Sequence, residues 1–230
     1  MPKTRLSKLV IFTAHFPYGN TETFLANEIA LISHAFDKII LIPCSYPKGN
    51  KNKTTLANNV KSFPPYLSNN IPLRILRAFF NKAPGGGFFA DFFLKRIFLS
   101  KSRLNSWTNN LICCRTFLTS KVYKVLRRIV NSQDVLYFYW GVGSVSIIPF
   151  LDIQSKIVVR LHGADAYANV NGEYNYLPLR NKIYSRANCL LPISDGLSKY
   201  LVENYNAICI EKKIYVSRLA TVGYGENPYE

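Results

Sequence analysis

The chain opens on a β-α-β pattern, and this limits its fold more than any other feature. Lys8–Thr13 is an apolar, β-branched run that predicts a strand. The turn-like HFPYGNTET follows, and then a helical pattern from Glu22 to Ala35. In it Leu25, Ile29 and Ile32 recur at near-helical spacing, and Asn20 or Thr21 is placed to cap the first turn. Lys38–Pro43 supplies a second strand. Strands joined through a helix pair in parallel, so the expected fold is α/β, a Rossmann-like parallel sheet with flanking helices.

The pattern resumes after Asp134. VLYFYW predicts a strand, GVGSVSIIPF a turn and helix, and KIVVRLHG another strand with its exit loop. Residues Tyr176 to Arg186 predict a helix, NCLLPIS a strand, and Asp195–Tyr205 a short helix whose start Ser194 can cap. Lys212–Arg218 is a last extended segment. Between the two halves, residues 47–70 are rich in Asn, Lys, Pro and Ser and predict an irregular connection with room for one short element. Ile71–Leu99 is helical in pattern but broken at NKAPGGG, and a basic helical stretch runs from Ser106 to Val130. Phe88, Phe89, Phe92, Phe93, Ile97, Phe98 and Leu99 offer more apolar surface than one narrow core stripe needs. Helix packing within the domain and a basic amphipathic surface against an anionic membrane both account for it.

Composition removes several classes. Aromatic residues make up 14% of the 230-residue chain, which argues against disorder, and no tandem period points to a fibrous repeat. The uncharged run Val135–Leu151 approaches the length of a membrane span, yet it contains Gly141, Gly143, Ser144, Ser146 and Pro149 and reads as strand, turn and helix. MPKTRLSKLVIF lacks the long apolar region and cleavage site of a secretory leader. Five cysteines without a CxxC pair, and three histidines occurring singly, suggest neither a disulfide framework nor a metal site. A reduced, cytoplasmic setting is expected, with peripheral contact at the inner face of the cell membrane left open. The net charge of +16 implies an anionic partner without choosing among nucleic acid, phospholipid and phosphorylated substrate. No zinc finger, helix-turn-helix or ribonucleoprotein signature accompanies it, so nucleic acid is the disfavoured partner.

Three loops leave predicted strands at their carboxyl ends, the edge where open α/β sheets hold ligands: His15–Glu22, His162–Tyr167, and Ser194 with Asp195. In the first, Gly19 and Asn20 permit a tight turn, and the following helix can direct backbone N–H groups at an anion; a plain loop is equally consistent. It is neither GxGxxG nor a P-loop. In the second, RLHGADAY sets polar His162 and Asp165 after an apolar strand, and Gly163 admits a ligand to the backbone. Asp165 can instead pair with His162, orienting it or capping the loop. His34 reads as a surface or capping residue. Ser144 lies in GVGSV rather than GxSxG and makes a poor nucleophile.

VIFTAHFPYGNTETFLANEI, VVRLHGADAY, YLPLRNKIYSRANCLLPISDGLSKYL and KIYVSRLATVG together resemble the amino-terminal domain of bacterial family-4 glycosyltransferases of the GT-B fold. The resemblance covers residues 8–46 and 134–222 and matches the middle third mainly by position. It implies an acceptor-side Rossmann-like domain over residues 1–222, with a basic helical insertion at about 50–130, and a truncated linker or tail at 223–230. It further implies transfer of a sugar from a nucleotide-sugar donor to a polysaccharide or lipid-linked acceptor, with no metal or other cofactor required. Gly19 and its neighbours His15, Asn20 and Glu22 then look like the loop facing donor phosphate and acceptor. His162 looks like the family's histidine near the transferred sugar and diphosphate, with Arg160, Gly163 and Asp165 framing it. Arg180 and Ser194 match recurrent positions and are expected in structural or acceptor-side roles. The family's donor-binding domain, with its two spaced glutamates, is not recognisable here, and Glu226 and Glu230 are not assigned to it. The expected function is thus the amino-terminal part of such an enzyme, inactive without a missing or separate donor-binding domain. The alternative is a non-catalytic module that binds glycan or an anionic membrane surface.

Overall fold

The computed structural model describes residues 8–49, 53–68, 70–80, 86–167, 169–170, 173–174, 176–205 and 210–219. The expected tail at 223–230 and most of the NKAPGGG break lie outside these residues. The strands are β1 (Leu9–Thr13), β2 (Ile39–Pro43), β3 (Val60–Ser62), β4 (Val135–Phe138), β5 (Lys156–Leu161), β6 (Asn169–Val170), β7 (Glu173–Tyr174) and β8 (Cys189–Pro192). Six form one sheet in the order β3-β2-β1-β4-β5-β8, every pair parallel, while β6 and β7 make a separate antiparallel hairpin. The expected Rossmann-like architecture is the one observed.

The helices are α1 (Thr23–Ile32), α2 (Ile71–Phe80), α3 (Gly86–Leu94), α4 (Lys101–Leu118), α5 (Lys121–Ile129), α6 (Gly163–Ala166), α7 (Arg180–Arg186) and α8 (Asp195–Tyr205). Because the central strands are apolar at successive positions, both sheet faces demand cover. Val10, Phe12, Ile40, Leu136, Phe138 and Val159 face a large core that includes Leu111 and Phe117 of α4, with the Phe12 and Phe138 rings stacked 4.3 Å apart. Leu9, Ile11, Ile39, Leu41 and Tyr137 face the other way, onto Leu25 and Ile29 of α1. At the amino-terminal edge, buried Asp134 accepts from the Lys8 amide (2.7 Å), the Lys8 ammonium (3.0 Å) and the Asn131 amide (2.9 Å), tying the starts of β1 and β4 together.

Several boundaries differ from expectation, each for a local reason. The basic stretch expected as one helix is two, since Ser100 and Ser120 each accept a first-turn amide, from Arg103 (3.4 Å) and Tyr123 (3.1 Å). The connection at 47–70 contains β3, which extends the sheet beside β2. The helix expected from Tyr176 starts only at Arg180, because Leu179 adopts a left-handed conformation (φ 57°) just after Pro178. GVGSVSIIPF forms a 3-10 helix over Gly143–Phe150, with Pro149 removing a backbone donor. Neither Asn20 nor Thr21 caps α1; Glu22 occupies that position, with its side chain turned away.

One polar network is buried within the α1 layer. Glu28 accepts from the Tyr137 hydroxyl (2.8 Å), the Tyr139 hydroxyl (2.9 Å) and the Arg160 guanidinium (3.0 Å). Arg160 also donates to the Tyr137 hydroxyl (2.6 Å) and to the Ser217 carbonyl and hydroxyl (both 3.2 Å). Burial and the Glu28 charge push the Tyr137 hydroxyl's pKa far above its ordinary value, so it remains a neutral donor to the carboxylate. Removing only one charge leaves the other unpaired in the interior. Arg160→Met should therefore destabilise the domain by about 3–5 kcal/mol in urea unfolding, and Glu28→Gln added to it should cost less than the sum of the two single changes.

Candidate functional site

The sheet reverses its winding direction between β1 and β4: β2 and β3 extend one side, β5 and β8 the other. No crossover covers the carboxyl ends of strands at such a point, and a crevice forms there. A cleft of about 190 Å³ occupies this position, lined by Phe12 to His15 at the end of β1, Cys44 and Ser45 after β2, and Trp140 and Val142 to Ser144 after β4.

The first loop is shaped by Glu22. Its buried carboxylate accepts from the amides of Ala14 (3.1 Å), His15 (2.7 Å) and Phe16 (2.7 Å) and from the indole of Trp140 (2.6 Å). An anion nest is thus formed, but the protein's own carboxylate fills it. Gly19 takes a left-handed turn (φ 68°), Asn20 is exposed beside it, and His15 reaches the cleft. His15 Nδ1 lies 2.9 Å from the Ser45 carbonyl, which can only accept, so Nδ1 carries the proton and Nε2 is left as the basic nitrogen.

The second loop is organised by Asp165 in the same manner. One oxygen accepts from the His162 amide (2.7 Å); the other accepts from the Gly141 amide (2.7 Å) and faces His162 Nδ1 at 3.4 Å. His162 is 7% exposed, and its buried Nε2 has no partner among the described residues. The imidazole lies against the Trp140 indole, ring centroids 4.3 Å apart. Trp140 therefore joins both loops: it donates to Glu22 of one, packs on His162 of the other, and lines the cleft.

Of the other expected site residues, Gly163 opens α6, where an added Cβ would come 3.3 Å from the Tyr167 ring. The Arg160 guanidinium sits in the Glu28 network. Buried Arg180 donates to the carbonyls of Ala166 and Asp165 and to the Tyr205 hydroxyl, fastening α6 to α7 and α8. Exposed Ser194 caps α8 through the Leu197 amide (3.3 Å). Sequence reasoning missed Trp140, Gly141 and Cys44. A Trp closing an apolar strand immediately before GVG was the available signal for the first two. Among the described residues no cluster of three or more His, Cys, Asp or Glu could hold a metal ion, and no helix is long and apolar enough to cross a membrane.

Cleft and fold define a class: a doubly wound α/β domain with a ligand crevice at its switch point. No protein-family model and no curated protein matches the chain. Among solved structures it is similar to one described as trehalose-6-phosphate from E. coli bound with UDP-2-fluoro glucose, at 14% identity and a TM-score of 0.46. A second, concerned with glycosyltransfer with retention by trehalose-6-phosphate synthase, is similar at 13% identity and a TM-score of 0.43. Each match covers 89% of this chain, which spans only 42% of the length of either structure.

Two outcomes are expected from the cleft. A Cβ at Gly141 would meet Leu161 at 2.7 Å and Asp165 at 3.0 Å, so Gly141→Ala should lower stability by about 1–3 kcal/mol in urea unfolding. The Cys44 thiol, 3.6 Å from Cys113 Sγ, has its pKa lowered by that contact, whereas Cys113 is pushed well up by the same contact and Cys114 by burial. At mildly alkaline pH Cys44 therefore has the larger thiolate fraction, and iodoacetamide should modify it ahead of both neighbours in peptide mass mapping.

Proposed function

We propose that the chain is the amino-terminal, acceptor-side part of a GT-B glycosyltransferase that moves a sugar from a nucleotide-sugar donor to a polysaccharide or lipid-linked acceptor. The observation that carries this reading is the meeting of the two resemblance-bearing loops HFPYGNTET and RLHGADAY at Gly141 and at Trp140, which lines the switch-point cleft, with His162 Nε2 buried and without a partner among the described residues. In this reading the loop that carries His15, Gly19 and Asn20 receives acceptor and phosphate groups. His162 contacts the transferred sugar and the departing diphosphate, where a positioned polar group bears on the charge that develops. Glu22, Arg160, Asp165 and Arg180 are positioning residues, and Ser194 serves as a helix cap. The donor is held largely by a second domain or a separate partner.

The test is transfer of labelled sugar from a panel of nucleotide sugars to lipid-linked acceptors, using the protein together with its donor-binding domain. His162→Ala should lower kcat by roughly 10²–10³-fold, far more than the loss of folded protein read from the unfolding midpoint accounts for. Unchanged turnover would remove His162 from the site; no transfer from any nucleotide sugar would remove the function.

A further inference from the structure

The insertion between β3 and β4 carries an outward apolar face that the cleft does not use. Phe93, Leu94, Phe98 and Leu99 are 68%, 81%, 54% and 69% exposed. The face around α3 is continuous: the Phe92 ring touches those of Phe93 (5.3 Å), Phe98 (5.9 Å) and Trp107 (4.9 Å). It is also built on a fixed base. Phe88, on the inner side of α3, is fully buried and stacked on Phe150 at 5.7 Å, and its carbonyl accepts from the Trp107 indole at 2.9 Å.

Charge decides what such a face meets. Between Ile71 and Leu104 the sequence has seven basic residues and one acid, Asp91. The Asp91 carboxylate accepts from the Tyr176 hydroxyl and the Leu179 amide, so it is turned into the fold, while Lys95, Arg96 and Lys101 are exposed at the edge of the apolar face. Aromatic and aliphatic side chains flanked by cations, with no outward acid among them, match an interface whose apolar interior lies beneath a negative layer. A protein partner would not require that one-sided charge, because lysine is depleted at protein–protein interfaces.

We propose that this face, formed by α3, the turn at Ile97–Leu99 and the start of α4, seats the domain on an anionic phospholipid bilayer. Phe93, Leu94, Phe98 and Leu99 enter the headgroup and upper acyl region to a depth of about 5–10 Å, and Lys95, Arg96 and Lys101 lie among the lipid phosphates. The face and the cleft share one helix. Asn110 of α4, about 9 Å along the axis from Leu104, accepts from the Gly143 amide of the cleft wall at 3.2 Å. Membrane seating does not depend on the sugar-transfer reading, and its test contains no transfer step.

The experiment is co-sedimentation with vesicles of phosphatidylcholine alone and of phosphatidylcholine mixed with phosphatidylglycerol, alongside sedimentation velocity without lipid. Wild type should bind the mixed vesicles at least about tenfold more tightly than the neutral ones. Phe93→Ser/Leu94→Ser should lose about tenfold or more in affinity for mixed vesicles with an unchanged unfolding midpoint, since both side chains are mostly exposed. Lys95→Glu/Lys101→Glu should abolish the preference for mixed vesicles. Equal binding by the Phe93/Leu94 variant would reduce the effect to net charge and overturn the proposal. So would a wild-type oligomer that the variant dissolves while vesicle binding stays unchanged, which would make the face a contact between copies of the chain.

Discussion

All-parallel pairing about β1 is the constraint from which the rest of the molecule follows. Antiparallel neighbours can be joined by tight turns, but each parallel neighbour needs a crossover that travels back along a sheet face. In this chain the crossovers first carry the sheet outward through β2 and β3, then restart at β4 and carry it the other way. Both faces are thereby covered, and the carboxyl ends of β1 and β4 are left with loops that diverge from one another. The cleft results from topology before any side chain refines it.

Side chains then fix its walls by one repeated device. Glu22 and Asp165 are buried carboxylates that accept from backbone amides, and each also reaches across to the segment after β4, to the Trp140 indole or the Gly141 amide. Charge-assisted bonds of this type hold loop backbone more firmly than neutral ones. Because protein carboxylates occupy these amides, the cleft wall offers a ligand His15 and Trp140 instead, with His162 Nε2 buried beside the indole.

The strands β1, β2, β4, β5 and β8 were legible in the sequence because nearly every residue in them is apolar, a local property that a linear reading detects, whereas β3, with one buried residue in VKS, was not. Helix ends were less legible: the cap at Ser120 divides a basic stretch whose pattern looks continuous, and the backbone at Leu179 delays α7. Roles within the site were least legible. Glu22, Arg160 and Arg180 look like ligand contacts in a loop-by-loop reading, since a buried polar side chain and a binding side chain share the same chemistry. Only their partners, Trp140, Glu28 and Ala166, separate the two, and the first two of these lie more than a hundred positions away. Trp140 was hidden for the same reason, as its indole joins loops that are distant in sequence.

The sheet order also has a consequence for the time course of folding. β1 is made first and pairs readily with β2, yet its other edge must wait for β4, and the clamp between Lys8 and Asp134 closes over 126 positions. Until then an apolar strand has one row of backbone groups open while the whole helical insertion is being synthesised. Long-range parallel pairing of this kind is slow to form and prone to association with other chains. The insertion that sets the shape of the surface therefore also sets how long the centre of the sheet stays unprotected.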